Sequence, residues 1–199
     1  MRLEFFGLLL VVLTLRSAKG QDGLEAPVRL TLAAGEPIDV QREGHSAPFV
    51  GDIDGDGKRD LLVGQYDNGR LRIYRNEGTD DRPIFRDFHW LKAGGEIAQV
   101  PTNCCVGFTP QLVDLDGGGS RDILSGSYPG ELYLFRQISS QNYAQAEKLK
   151  YETGDEINAG HAATASATDW NQDGTLDLLV GNIIGEVHLL LGKFVELSH

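Results

Sequence analysis

Three short stretches carry side chains whose types and spacing could act together on one ion. They read DIDGDGKRD at Asp52–Asp60, DLDGGGSRD at Asp114–Asp122 and DWNQDGTLD at Asp169–Asp177. Oxygen-bearing side chains stand at positions 1, 3, 5 and 9 of the first and third stretches, and glycine stands at position 6 of all three. A hard cation such as Ca²⁺ takes about six to eight oxygens in a tight shell. Carboxylates at every second residue of a turn can wrap inward to supply them, and the glycine permits the bend. The rival EF-hand loop needs a glutamate at position 12 and flanking helices. Position 12 is Val63, Ser125 or Val180, inside apolar β-type runs, so that reading fails. Zinc is disfavoured by the absence of His and Cys from the set, and Mg²⁺ prefers fewer carboxylates and more water.

The elements that must position these loops repeat with them. The loops begin 62 and 55 residues apart. Each is entered by a short segment (PFVGD, PQLVD, ASATD) and runs into LLVGQY, ILSGSY or LLVGNI. A glycine turn follows, then an alternating strand: RLRIYRN, ELYLFRQ, EVHLLLG. Leu71, Ile73, Leu132 and Leu134 mark the buried face of those strands, with Arg72 and Arg75 on the polar side. A fourth segment at Val28–Leu32, Phe85–Leu91 and Lys148–Tyr151 precedes AGEPI, AGGEI and TGDEI. Calling the four strands of a unit A to D, the chain reads D, ABCD, ABCD, ABC. Gln141–Leu149 carries the one helical signal and is read as a loop insertion.

Four-stranded antiparallel units of this length fit an all-β fold of β-propeller-type blades, about three of them. Known propellers have about four to eight blades. The chain is therefore a truncated piece, a subunit of a larger ring, or an open partial propeller. The D strand near the chain start is available to complete the last ABC unit. Open blade edges would invite self-association.

The first 20 residues resemble a secretory signal: Arg2, an apolar run over Phe5–Leu15, and small residues Ala18 and Gly20 before Gln21. The expected mature domain is 21–199, located outside the cell or at its surface. No other stretch could span a membrane. Loss of Arg2, Glu4, Arg16 and Lys19 takes the net charge from −11 to −13. That acidity argues against nucleic acid and against charge-driven binding to anionic lipid. The two cysteines, Cys104 and Cys105, are adjacent. They offer a vicinal disulfide, two thiols or links to other chains, but neither a disulfide framework nor a zinc pattern.

The loop D-x-D-x-D-G-x-x-D followed by D-L-L-V-G resembles the FG-GAP/VCBS repeat family, related to the blades of integrin alpha-chain propellers. The resemblance covers Val28 to Gly192. It implies that side chains at positions 1, 3, 5 and 9 and the carbonyl at position 7 ligate Ca²⁺. On this chain these are Asp52, Asp54, Asp56, Lys58 and Asp60, then Asp114, Asp116, Ser120 and Asp122, then Asp169, Asn171, Asp173, Thr175 and Asp177. Gly118 removes one carboxylate from the second loop, so two strong sites and one weaker site are expected, with a structural rather than catalytic ion. The resemblance also implies a ligand face opposite the ions, bearing His45, Tyr66, Asn68, Cys104, Cys105, Tyr128, His161 and Asn182. Trp90 and Trp170 are read as packing residues, Trp170 in a blade interface. The expected function is secreted protein or carbohydrate binding. The alternative is part of a propeller enzyme acting on polysaccharide, but no Ser-His-Asp order, carboxylate pair outside the loops or phosphate loop supports catalysis.

Overall fold

The computed structural model describes residues 26–40, 44–104 and 106–193. The expected signal segment lies outside them, as does Cys105 and hence any pairing with Cys104. The first blade is β1 (Ala47–Gly51), β2 (Asp60–Gly64), β3 (Leu71–Tyr74) and β4 (His89–Trp90), antiparallel in that order. A hairpin of β5 (Lys92–Ala93) and β6 (Glu96–Ile97) follows. The second blade is β7 (Gln111–Val113), β8 (Asp122–Ser125), β9 (Tyr133–Phe135) and, after an inserted hairpin of β10 (Gln137–Ser139) and β11 (Asn142–Tyr143), β12 (Glu147–Lys148). The third is β13 (Thr164–Thr168), β14 (Asp177–Gly181) and β15 (Val187–Leu190). The fold is all-β and built from propeller-type blades, with one short 3-10 turn at Asp67–Gly69. Gln141–Leu149 is not helical: it holds β11 and β12, and Tyr143 pairs in parallel with Ala93 of β5.

The phrases AGEPI and TGDEI make the same turn, bridging Thr31 to Pro37 and Lys150 to Glu156, whereas AGGEI closes a turn one residue shorter, pairing Lys92 with Ile97. Ile38, Ala98 and Ile157 each donate a backbone N–H to Leu30, Leu91 and Leu149 respectively, all at 2.9 Å. The closing backbone bond thus repeats with the sequence, even where the turn is one residue shorter.

The blades stack as layers, and this explains why the second strand of each blade is apolar on both faces. Leu62, Leu71 and Ile73 of the first blade pack against Phe108, Ile123 and Phe135 of the second. Leu124, Leu132 and Leu134 pack against Leu178 and Val180 of the third. Leu61, Val63 and Tyr74, on the other face of the first blade, meet Val40, Leu32 and Ile38. The segment near the chain start therefore does not complete the third blade. Its Leu32, Ile38 and Val40 pack on the first blade while Val28 and Leu30 stay exposed, and it lies where a preceding layer would lie. β15 is an edge strand among the described residues, with Val187, Leu189 and Leu191 exposed.

That same cover overturns the reading of Arg72 as a solvent-facing residue. Arg72 is 6% exposed. Its Nε donates to Gln65 Oε1 at 2.9 Å and its Nη1 to the Asp39 carbonyl at 2.7 Å. The guanidinium lies 4.4 Å from the Phe88 ring centre and 5.2 Å from that of Trp90. Trp90 is a packing residue, as expected. Arg72 ties the 26–40 segment to the blade with charge-assisted bonds and cation–π contact. Arg72→Met keeps the apolar stem and removes these, and should cost about 2 kcal/mol. Urea unfolding would show a lower midpoint at unchanged slope; an unchanged midpoint would mean the segment is held by apolar contact alone.

Candidate metal centre

Each acidic loop joins the first and second strands of its blade, and its carboxylates hold the turn by bonding its own N–H groups. The position 1 aspartate accepts from the position 6 glycine in every copy: Asp52 from Gly57 at 3.1 Å, Asp114 from Gly119 at 2.8 Å and Asp169 from Gly174 at 3.0 Å. Those glycines have φ of +84°, +80° and +89°, the left-handed region in which a side chain is strained. Position 3 accepts from position 5, through Asp54, Asp116 and Asn171.

Position 9 is different in kind. Asp60, Asp122 and Asp177 are 2%, 2% and 0% exposed. Each accepts a backbone N–H from the residue just past the blade's third strand: Asn76 at 2.8 Å, Gln137 at 2.7 Å and Gly192 at 2.7 Å. The second oxygen of Asp60 accepts from Ile53, and that of Asp177 from Trp170. The aspartate thus staples loop to sheet. Burial pushes the Asp60 carboxyl above the ordinary range, against the pull of its two N–H donors.

In the first loop Asp52, Asp54 and Asp60 bring one carboxylate oxygen each to within 4.8 Å of one another. Asp56 is not in this group. Its Oδ1 accepts from the Lys58 N–H at 2.9 Å and its Oδ2 faces the Lys58 ammonium at 3.2 Å. The Lys58 N–H is the main reason its pKa is lowered. In the third loop Asp173 accepts from the Thr175 hydroxyl and N–H and from the Asn171 amide, which lower its pKa. In the second loop Asp114 Oδ1 and Ser120 Oγ are buried without a hydrogen-bond partner. Clustered carboxylate oxygens in the first loop and an orphaned buried one in the second are the donor chemistry that a hard cation satisfies.

Three arginines that the loop pattern does not reveal reach these carboxylates. Arg75 Nε lies 3.5 Å from Asp54 Oδ2, Arg121 Nη2 lies 3.4 Å from Asp52 Oδ2, and Arg136 Nη1 lies 3.6 Å from Asp116 Oδ2. The signal was available in the repeat: Arg75 and Arg136 immediately precede Asn76 and Gln137, the staple donors, and Leu191 holds that place in the third copy.

Trp170, at position 2 of the third loop, is 59% exposed and not buried between blades. The equivalent Ile53 and Leu115 face the following blade and join its cores. No blade follows the third among the described residues, so Trp170 has no such core to join.

On the opposite rim the expected ligand-face residues are only partly brought together. The His45 and Tyr66 rings meet edge-on at 5.8 Å within the first blade, and Tyr128 and His161 meet at 5.3 Å between the second and third. Asn68 sits at φ +54° inside the turn, and Cys104 is exposed at φ +59°. Asn182 is consumed by its turn: its Nδ2 donates to the Ala159 carbonyl at 2.9 Å and its Oδ1 accepts from Ile184 and Glu186.

Residues 46–74 match a family model described as FG-GAP repeat, and residues 114–180 one described as FG-GAP-like repeat. The chain carries FG-GAP repeats over these residues. All three acidic loops fall within the matched FG-GAP residues. No curated protein matches the chain. Seven solved chains do, among them one in the crystal structure of TcdB2-TccC3-TEV, 19% identical with a TM-score of 0.46. The match covers 83% of this chain and 7% of that one, so the FG-GAP repeats here span a small part of that protein's length.

Proposed function

We propose that the chain is a secreted, Ca²⁺-stabilised FG-GAP propeller module that binds a protein or carbohydrate ligand, with the ion structural. The observation that carries the ion reading is the convergence of Asp52, Asp54 and Asp60 within 4.8 Å in a loop with the carboxylate spacing of a hard-cation site. Asp52, Asp54, Asp56 and Asp60 would hold the ion with the Lys58 carbonyl. The equivalent groups of the other two loops would do the same, the second more weakly for want of a carboxylate at Gly118. Ca²⁺ there would supply charge compensation to a turn that joins two strands, so binding free energy becomes folding free energy. Secretion is supported by the charged and apolar pattern before Gln21 and by Ca²⁺ loops that suit a Ca²⁺-rich compartment. No helix among the described residues is long and apolar enough to cross a membrane.

The binding role is supported by the two His–Tyr ring pairs on the rim away from the ions, which present aromatic faces with polar edges. Two experiments test the reading. Thermal unfolding of residues 21–199 in excess Ca²⁺ should give a melting temperature about 5–10 °C above that in chelator, as about 3 kcal/mol of linkage requires. Equal values would sink the ion reading. Glycan and surface-protein arrays probed with the chain, and with a Tyr66→Ala, Tyr128→Ala double variant, should show binding that the variant loses. Equal binding by both would remove the rim.

A further inference from the structure

We propose that Arg75, Arg121 and Arg136 are built-in counter-cations that hold the first two loops together without Ca²⁺ and compete with the ion, leaving the third loop as the one whose order depends on Ca²⁺. This rests on the Ca²⁺ reading of the loops and concerns its regulation.

The three repeats form a graded series. The first loop faces two guanidiniums, Arg75 from the end of its own third strand and Arg121 from position 8 of the second loop. The backbone makes room for the latter: a Cβ on Gly55 would lie 3.2 Å from Arg121 Nη1. The second loop faces one, Arg136, which lies 3.6 Å from Asp116 and 3.9 Å from Asp122 and also binds Glu147. It receives none from the third loop, whose position 8 is Leu176. The third loop faces none: Leu191 replaces the strand-end arginine, and among the described residues no ion pair involves Asp169, Asp173 or Asp177.

The arginine contacts have the form of exchangeable charge compensation. At 3.4–3.9 Å they are longer than a good charge-assisted hydrogen bond, and Arg75 Nε is buried with no hydrogen-bond partner. A guanidinium cannot shed its charge by losing a proton, so it always opposes an incoming cation. Clustered carboxylates repel one another unless some positive charge lies among them. Arginine supplies it in the first and second loops, and only an ion can do so in the third.

Exchanging the residues tests this. Trp170 sits within the third loop and is exposed, whereas Trp90 lies near the first; in a Trp90→Phe background Tb³⁺ emission sensitised by tryptophan therefore reports the third loop, while calorimetric Ca²⁺ titration reports all three. Leu191→Arg, at a side chain 57% exposed, should weaken Tb³⁺ binding to the third loop about tenfold or more, and should raise the melting temperature in chelator. Leu191→Gln, which removes the leucine without adding charge, should leave both within about twofold and 1 °C. Arg75→Leu should tighten Ca²⁺ binding at the first loop and lower the melting temperature in chelator but not in Ca²⁺. If the unaltered chain binds neither Tb³⁺ nor Ca²⁺, the ion reading fails and takes this proposal with it. If it binds both and Leu191→Arg behaves like Leu191→Gln, or Arg75→Leu loses stability equally in Ca²⁺ and chelator, the arginines are ordinary surface partners and this proposal alone is overturned.

Discussion

Gly64→Ala and Gly126→Ala should each destabilise the fold by about 3 kcal/mol or more, while Gly181→Ala should be neutral or slightly stabilising. These glycines occupy one position of the repeat, in LLVG, ILSG and LLVG at the ends of β2, β8 and β14. A Cβ on Gly64 would lie 1.9 Å from the Phe108 carbonyl oxygen, and one on Gly126 would lie 2.0 Å from that of Ala163. Both neighbours are backbone of the following blade, so no side chain can rotate away. The close approach has a purpose: Phe108 donates its N–H to the Gln65 carbonyl at 3.2 Å, and Ala163 donates to that of Ser127 at 3.0 Å. At Gly181 the nearest atoms are 3.9 Å away, because no blade follows it among the described residues. Melting temperatures of the three variants check this. A fall of about 10 °C is expected for the first two and about none for the third. Equal, small effects at all three would show that the layers separate without cost.

The second large effect falls at position 9. Asp60→Ala should cost about 3 kcal/mol, because it orphans two buried N–H groups worth about 1–3 kcal/mol apiece, and Asp177→Ala should cost less, because the N–H groups of Trp170 and Gly192 are part-buried. The loss should persist in chelator, since the bonds are to backbone. Asp56→Ala, at an exposed carboxylate bonded within its own loop, should be close to silent in chelator and reduce only the gain from Ca²⁺. Chemical denaturation of the three variants with and without Ca²⁺ separates the roles. If Asp60→Ala matched wild type in chelator, position 9 would be a ligand and nothing more.

What the sequence disclosed and what it withheld divide along a physical line. The loops, the strands that follow them and the hairpin phrases are local: turn chemistry and alternation within a few residues determine them, and they repeat. The misread residues depend on which layer covers them. Arg72 alternates like a surface residue, yet residues 26–40 close over it. Trp170 has the position of buried Ile53, yet no blade lies in front of it among the described residues. Arg75, Arg121 and Arg136 reach their carboxylates across 20 to 69 residues of chain: strand pairing within a blade brings Arg75 and Arg136 there, and the stacking of the first two blades brings Arg121. The glycine requirement is legible only in a pairwise comparison, because the letter is the same in all three copies and the neighbour is not.

Among the described residues the stack of sheets has one dressed end and one bare end, and this gives the stack a direction. The 26–40 hairpin seals the first sheet, whereas the third exposes Val187, Leu189 and Leu191 and has its second strand bonded to a lone outer neighbour. Thermal fraying therefore enters from the bare end and travels inward, like a stack of coins spilling from its open side. Deuterium should invade β15 first, β14 next and β2 last.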